Sequence, residues 1–325
     1  MTSSTSPAKL VTVFGGSGFI GRHIVQALAR RGYRVRAAVR RPDLAGHLQP
    51  LGDVGQVTAV QANLRYRWSV DRALEGADAV VNAVGILYQA GRQSFDAVQA
   101  FGPRAIGEAA RAAGIDNFVH ISAIGADAES DIAYLHSKGL GEAGIHESVP
   151  DAVIMRPSVI FGPEDDFFNK FAGMAQLSPA LPLIGGGGTK FQPVYVGNVA
   201  EAVAVAIDGG AKPGTIYELG GPEIATFRQC LERMLEETDR KRVLVPVPFG
   251  VAKLMGKVMG LLPKPLLTAD QVRMLQTDTI VSEAAEADGR TLAGLGVAAT
   301  VMDVILPTYL VRFREHGQFE RIRTT

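Results

Sequence analysis

Tyr134 and Lys138 stand four residues apart in the string Tyr134-Leu-His-Ser-Lys138, a spacing that puts both side chains on one face of a helix. A lysine ammonium beside a phenol favours the phenolate and draws the tyrosine toward general acid–base duty near neutral pH. The pairing alone recurs by chance. Its weight comes from what precedes it: three glycines at positions 15, 18 and 21, and a short apolar segment that ends in Ser122.

Gly15, Gly18 and Gly21 follow the apolar run Leu10–Phe14 and open a helical segment. In such a place the first glycine makes a tight turn, the second lets backbone approach a pyrophosphate, and the third lets the helix pack close to a sheet. The helix entry at Gly18, Phe19 and Ile20 offers free N–H groups and partial positive charge to phosphates. A merely structural glycine turn needs none of this context. The motif predicts a nicotinamide dinucleotide site.

The segment after the second strand selects the coenzyme. Binding NAD(H) calls for an Asp or Glu there, to hold the ribose 2′-hydroxyl. This chain has Val39-Arg40-Arg41, and arginine forks suit a 2′-phosphate. NADP(H) is the expectation, with NAD(H) second; the competing view leaves both arginines as solvated surface residues. Asn63 and Leu64, after the third strand, are placed to flank the adenine. Ala83, Val84 and Gly85, after the fourth, should line the nicotinamide side, where Lys138 can reach the ribose.

These groups need a frame to hold them. Leu10–Phe14, Tyr33–Val39, Val57–Val60, Ala77–Val84 and Asn117–Ser122 read as strands, with helical spacing over Gly18–Arg31, Ser69–Glu75 and Phe95–Ala113. Alternation at this interval predicts an α/β, Rossmann-type, doubly wound parallel sheet over residues 1–155. Beyond residue 156 prolines and the run Gly185–Gly188 break the chain into shorter pieces. Residues 156–325 are expected to form a smaller, loop-rich part, interleaved with the core, that binds substrate or partner. Helices are read there over Val196–Ile207 and Phe227–Thr238, and the glycine run as a mobile loop.

Composition narrows the function classes. The 325 residues are 47% hydrophobic and carry 33 basic against 33 acidic side chains, which fits a packed globular protein and gives nucleic acid no basic surface to bind. A lone cysteine, Cys230, makes no internal disulfide and fits a reducing compartment. No metal is expected, since the six histidines show no ligand spacing; His120 and His136 read as locally hydrogen-bonded. The start shows neither a secretory nor an organelle signal, and no apolar run approaches the roughly 20 residues of a membrane span. A cytoplasmic protein follows, with peripheral attachment to the cytoplasmic face of the inner membrane open.

With Arg156-Pro157, Phe161-Gly162-Pro163, Gln192-Pro193-Val194-Tyr195-Val196 and Tyr217-Glu-Leu-Gly-Gly221, the chain resembles an extended or atypical short-chain dehydrogenase/reductase of the sugar-nucleotide epimerase type. Within that superfamily it resembles the dehydrogenase-like accessory subunit of respiratory complex I (NADH:ubiquinone oxidoreductase) and its bacterial relatives. Tyr134–Glu142, Pro157–Asn169, Lys190–Val196 and Leu267–Arg273 carry that likeness, which covers nearly the whole chain. The resemblance implies a structural NADPH binder with complex I or quinone-pathway partners. It also implies that active relatives place a Ser or Thr where this chain has Ala123, one residue past Ser122, and an aspartate where it has Asn198. The alternative is an active NADP(H)-dependent reductase, epimerase or dehydratase of a sugar nucleotide or other carbonyl compound; a non-catalytic redox regulator is a third reading.

Two further segments invite partners. Residues 249–262 read as a helix with Lys253 and Lys257 on one face and Leu254, Met255, Val258, Leu261 and Leu262 around the others. It suits either a lipid interface or an ordinary core position. Tyr309–Arg323 interleaves Arg312, Arg314, Arg321 and Arg323 with Phe313 and Phe319, and reads as a solvated basic tail or a contact for anionic lipid or a partner subunit.

Overall fold

The computed structural model describes residues 8–260 and 267–315. The first half alternates strand and helix: β1 (Leu10–Phe14), α1 (Phe19–Arg30), β2 (Arg34–Val39), β3 (Val57–Gln61), α2 (Arg67–Leu74), β4 (Ala79–Asn82), α3 (Phe101–Ala112), β5 (Phe118–Ile121), α4 (Ala133–Ser148) and β6 (Val153–Pro157). Shorter pieces follow: β7 (Ile160–Phe161), α5 (Phe168–Leu177), β8 (Ala180–Ile184), β9 (Lys190–Phe191), β10 (Val194–Tyr195), α6 (Val196–Ile207), β11 (Ile216–Leu219), β12 (Ala225–Thr226) and α7 (Phe227–Glu237). The described chain closes with β13 (Val243–Val247), α8 (Phe249–Met259), α9 (Ala269–Met274), α10 (Glu283–Ala287) and α11 (Met302–Leu310).

Seven strands form one sheet in the order β11-β6-β5-β4-β1-β2-β3, with β1 to β6 parallel, as the alternating pattern predicts. Every residue of β4 is buried, the mark of a strand covered on both faces. Phe14, Val80, Phe118 and Ile154 project to one face and pack with Ile106 of α3 and Ile145 of α4. The sequence order reverses between β1 and β4. At such a reversal the connections leave in opposite directions and open a crevice at the carboxyl ends of the strands.

The chain forms two compact units. One holds the chain up to Arg156 together with Gly197–Glu218 and Ala285–Val297; the other holds Pro157–Val196, Leu219–Ala284 and the chain from Ala298 on. In the first, α6 is tied down by contacts about 170 residues away in sequence. Arg31 pairs with Glu201 and, at 2.9 Å, with Asp208, whose carboxylate also accepts from the Tyr33 hydroxyl at 2.6 Å. In the second, Phe161, Phe168, Phe191 and Phe227 build a core with Leu306 and Tyr309. There Asp165 accepts hydrogen bonds from the backbone of Gly162, Phe167 and Asn169 and from the Tyr309 hydroxyl.

Several expectations need correction. All but the first residue of the helix read at Val196–Ile207 belongs to the nucleotide-side unit and not to the C-terminal part. The helical stretch from Phe95 begins as a wide π turn, Asp96–Ala100, before α3. Gly185–Gly187 form a tight turn with positive φ that packs under Phe249 and around Leu183, so no loose loop is left there. The described part of the basic tail is also bound: Arg312 donates to Asn169 at 2.6 Å and Arg314 to the Glu237 carbonyl at 2.7 Å. Leu261, Leu262, Phe319, Arg321 and Arg323 lie outside the described residues.

Candidate functional site

The glycine loop sits at the reversal point of the sheet. Gly15 takes φ +77°, and its N–H donates to Ala38 O at 3.0 Å, so the chain turns sharply as it leaves β1. A methyl group on Gly15 would come within 3.0 Å of Ala83 O and 3.1 Å of Val84 N, which puts the loop directly against the end of β4. On Gly21 it would lie 2.1 Å from Gly15 O; only glycine lets α1 approach this closely. Gly18 is exposed, and α1 starts there with no side chain capping its N–H groups and no acid in its first turn. An uncapped, acid-free helix start beside an open backbone loop fits a diphosphate. Phe19 and Ile20, partly buried, carry the next N–H groups at this entry.

At the adenosine end the two arginines differ. Arg41 grips Asp43 through Nε at 2.9 Å and Nη2 at 2.6 Å, because Pro42–Leu44 turns the carboxylate back toward it. Arg40 is exposed, with no hydrogen bond or ion pair among the described residues. The pair therefore does not act as twin free forks. Asn63 spends its Oδ1 on the Arg65 N–H at 3.2 Å, and Leu64 packs against the α3 start at Gly102. Both follow the end of β3, where they were expected, but their side chains serve the local turn and the core.

At the other end Tyr134 and Lys138 are buried together on α4, with Tyr134 edge-on to Phe95 at 5.7 Å. Burial pushes the Tyr134 hydroxyl up to about 12 and pulls the Lys138 ammonium down to about 8, the latter opposed by Glu142. The lysine Nζ donates to Ile121 O at 3.0 Å. The expected lowering of the phenol by its lysine neighbour is absent: burial governs both groups. Ser122 is 3% exposed and its hydroxyl has no partner among the described residues, whereas the next residue, Ala123, is partly open. The position past β5 that faces outward carries no hydroxyl.

One group escaped the sequence reading and a second departs from it. Gln99, 1% exposed, accepts from Ile86 N–H at 2.9 Å and donates to Ser137 Oγ at 3.1 Å, linking the loop after β4 to the Tyr134 helix. A methyl on Gly85 would sit 3.6 Å from Lys138 Nζ and 3.7 Å from Gln99 Oε1, so these three converge. The π turn is what carries Gln99 inward, and Gly141 of α4 lets it in, since a Cβ there would meet Gln99 O at 2.2 Å. No motif signals this; a glutamine inside an alanine-rich helix looks ordinary. His120 is the second. Expected to be satisfied locally, it is buried beside Asn82, its register partner on β4, and neither ring nitrogen makes a hydrogen bond of good geometry among the described residues. Burial, reinforced by Lys138, holds its imidazole well below the ordinary value. Among the described residues no cluster of His, Cys, Asp and Glu could hold a metal ion.

Comparison with known proteins agrees with this geometry. Residues 15–165 match the NAD(P)H-binding family model, and residues 151–221 match that of the 3-beta hydroxysteroid dehydrogenase/isomerase family. The mitochondrial NADH dehydrogenase [ubiquinone] 1 alpha subcomplex subunit 9 of Arabidopsis thaliana is 36% identical over 286 residues, covering 84% of this chain and 71% of that protein. The chain belongs to that family. A relative outside the respiratory proteins, the ceramide reductase of Caulobacter vibrioides, is 34% identical over 181 residues, 56% of each chain. The chain also shares its fold with the dTDP-glucose 4,6-dehydratase of Streptomyces venezuelae, with a TM-score of 0.69, 19% identity, and coverage of 94% of this chain and 96% of that one. The complex I resemblance read from the sequence strings is thus borne out, and a nicotinamide dinucleotide is the coenzyme class.

Proposed function

We propose that this chain binds NADP(H) as a structural element and serves as an accessory subunit of respiratory NADH:ubiquinone oxidoreductase, attached from the aqueous side of the membrane. When bound, the nicotinamide group would supply hydride chemistry. Gly15, Gly18, Phe19 and Ile20 would hold its diphosphate, Arg40 the 2′-phosphate with Arg41 as a second contact, and Lys138 the ribose. Ala83, Val84 and Gly85 would line the nicotinamide, and Asn63 and Leu64 would mark the adenine end. The observation that carries a non-catalytic role is the state of the reacting end. Ala123, which has no hydroxyl, stands at the open position beyond β5, and burial raises the Tyr134 phenol to about 12, away from a working acid–base range. Removing one such donor costs about 10²–10³ in rate in comparable sites.

The test is purification from its own cells followed by mass spectrometry and nucleotide analysis. NADPH held at one per chain, together with respiratory subunits, is the expected result. Absence of every respiratory-chain subunit would end the assembly role. The intact Tyr134–Lys138 pair and the 34% identical ceramide reductase favour a second reading, an active NADP(H)-dependent reductase. Stoichiometric NADPH oxidation with a carbonyl compound, abolished by Tyr134→Phe, would establish it in place of the first.

A further inference from the structure

Helix α8 is apolar around most of its circumference, a pattern that belongs to helices buried on all sides. Yet only one side is covered. Ala252 and Gly256 are buried, and Phe249 lies over Gly185. On the opposite stripe Val251, Leu254, Met255 and Val258 recur at the one-face helical spacing and stand open, Leu254 at 66% and Val258 at 63% exposure. The strand that runs into this helix, β13, adds exposed Val243 and Val245. β13 pairs only with β8 among the described strands.

Charge decides what covers this face. Between Asp239 and Asp270 the sequence contains Arg240, Lys241, Arg242, Lys253, Lys257 and Lys264 and no acidic residue, in a chain whose charges balance overall. Arg240 and Arg242 are held by Glu315. Lys253 and Lys257, one turn apart on one flank of α8, have no ion-pair partner among the described residues. The cores of protein–protein interfaces are rich in aromatic side chains and arginine and poor in lysine. This strip has neither an aromatic residue nor an arginine along its centre, and it carries lysine at its side. Long lysine stems can lie along apolar surface while their ammonium groups reach a phosphate layer.

We infer that α8 and β13 form a membrane-surface contact that rests its aliphatic stripe at the acyl boundary of an anionic phospholipid bilayer, with Lys253 and Lys257 on the headgroups. No described helix is long and apolar enough to cross a membrane, so the contact lies in the surface plane. The inference goes beyond the nucleotide reading and does not depend on it.

The test is co-sedimentation of the full chain with vesicles of phosphatidylcholine, with and without phosphatidylglycerol. The wild type should sediment with the anionic vesicles and far less with the neutral ones. Lys253→Gln with Lys257→Gln should weaken binding on the order of thirty-fold, from about 1 kcal/mol per lysine. Leu254→Ser with Val258→Ser should reduce it to background, and unchanged melting temperature and NADPH affinity would show that both variants fold. Failure of the wild type to bind either vesicle overturns the inference, as does a folded Leu254→Ser/Val258→Ser variant that still binds fully. A wild type that ignores vesicles while that double variant is lost from the respiratory enzyme overturns it too, and gives the surface to a protein subunit.

Discussion

Replacing Gly21 with alanine separates the packing role of the glycine loop from its binding role. The added carbon would lie 2.1 Å from Gly15 O and 2.8 Å from Gly16 Cα. Unbonded carbon and oxygen keep roughly 3.3 Å apart, so α1 must retreat by about 1.2 Å. Both obstructing atoms are backbone, so no side chain can swing aside. Overpacking of this kind costs about 1–3 kcal/mol, and the upper end applies here. That corresponds to a fall in melting temperature of roughly 6–12 °C for a unit of this size. Gly18→Ala is the contrast. Its backbone angles (φ −76°, ψ 176°) suit any residue, and its new carbon meets only Gly15 O, at 3.3 Å. It should melt near the wild type yet lose NADPH affinity by roughly tenfold or more, because the methyl stands where the diphosphate must approach the backbone. Differential scanning calorimetry and a fluorescence titration read the two effects apart. Equal melting of Gly21→Ala and the wild type would refute the packing argument. A Gly18→Ala protein that melts early but keeps its NADPH would refute the binding argument.

Arg40→Ala should lower NADPH affinity by roughly tenfold, one charge-assisted hydrogen bond's worth, and leave NADH binding unchanged. Arg41→Ala should cost less because Asp43 already occupies that fork; an isothermal titration in which NADH binds the wild type tighter than NADPH would sink the whole assignment. Burial lowers the folded pKa of His120 well below its unfolded value, so between pH 6.5 and that lower folded value the unfolded chain holds the extra proton. Stability should therefore fall with acid through that window, by at most about 1.4 kcal/mol per pH unit. His120→Asn should flatten that limb in melting curves taken from pH 7 to 5, and an unaltered slope would count against the buried neutral imidazole. Gln99→Leu strands the Ile86 N–H and should cost about 1–3 kcal/mol in denaturant titrations while loosening NADPH; a variant as stable as the wild type with full affinity would show that Gln99 positions nothing.

The parallel sheet, the glycine loop and the Tyr134–Lys138 pair were legible in the sequence because each rests on short-range periodicity. A strand's apolar run, a glycine every third residue and a four-residue helical spacing are set by the chain's own geometry. The same holds for the family strings, which lie within contiguous stretches. Which groups meet across the fold was not legible. That Arg41 faces Asp43 depends on a turn at Pro42, and that Gln99 reaches Ser137 depends on a π turn and a glycine on another helix. The return of α6 to the first unit depends on Arg31 and Tyr33 finding Glu201 and Asp208. Burial decided the rest. A sequence lists Tyr134, Lys138 and His120 as ionisable groups at their ordinary values, but the cost of keeping a charge away from water is set by neighbours distant in the chain, and only the packed structure supplies them.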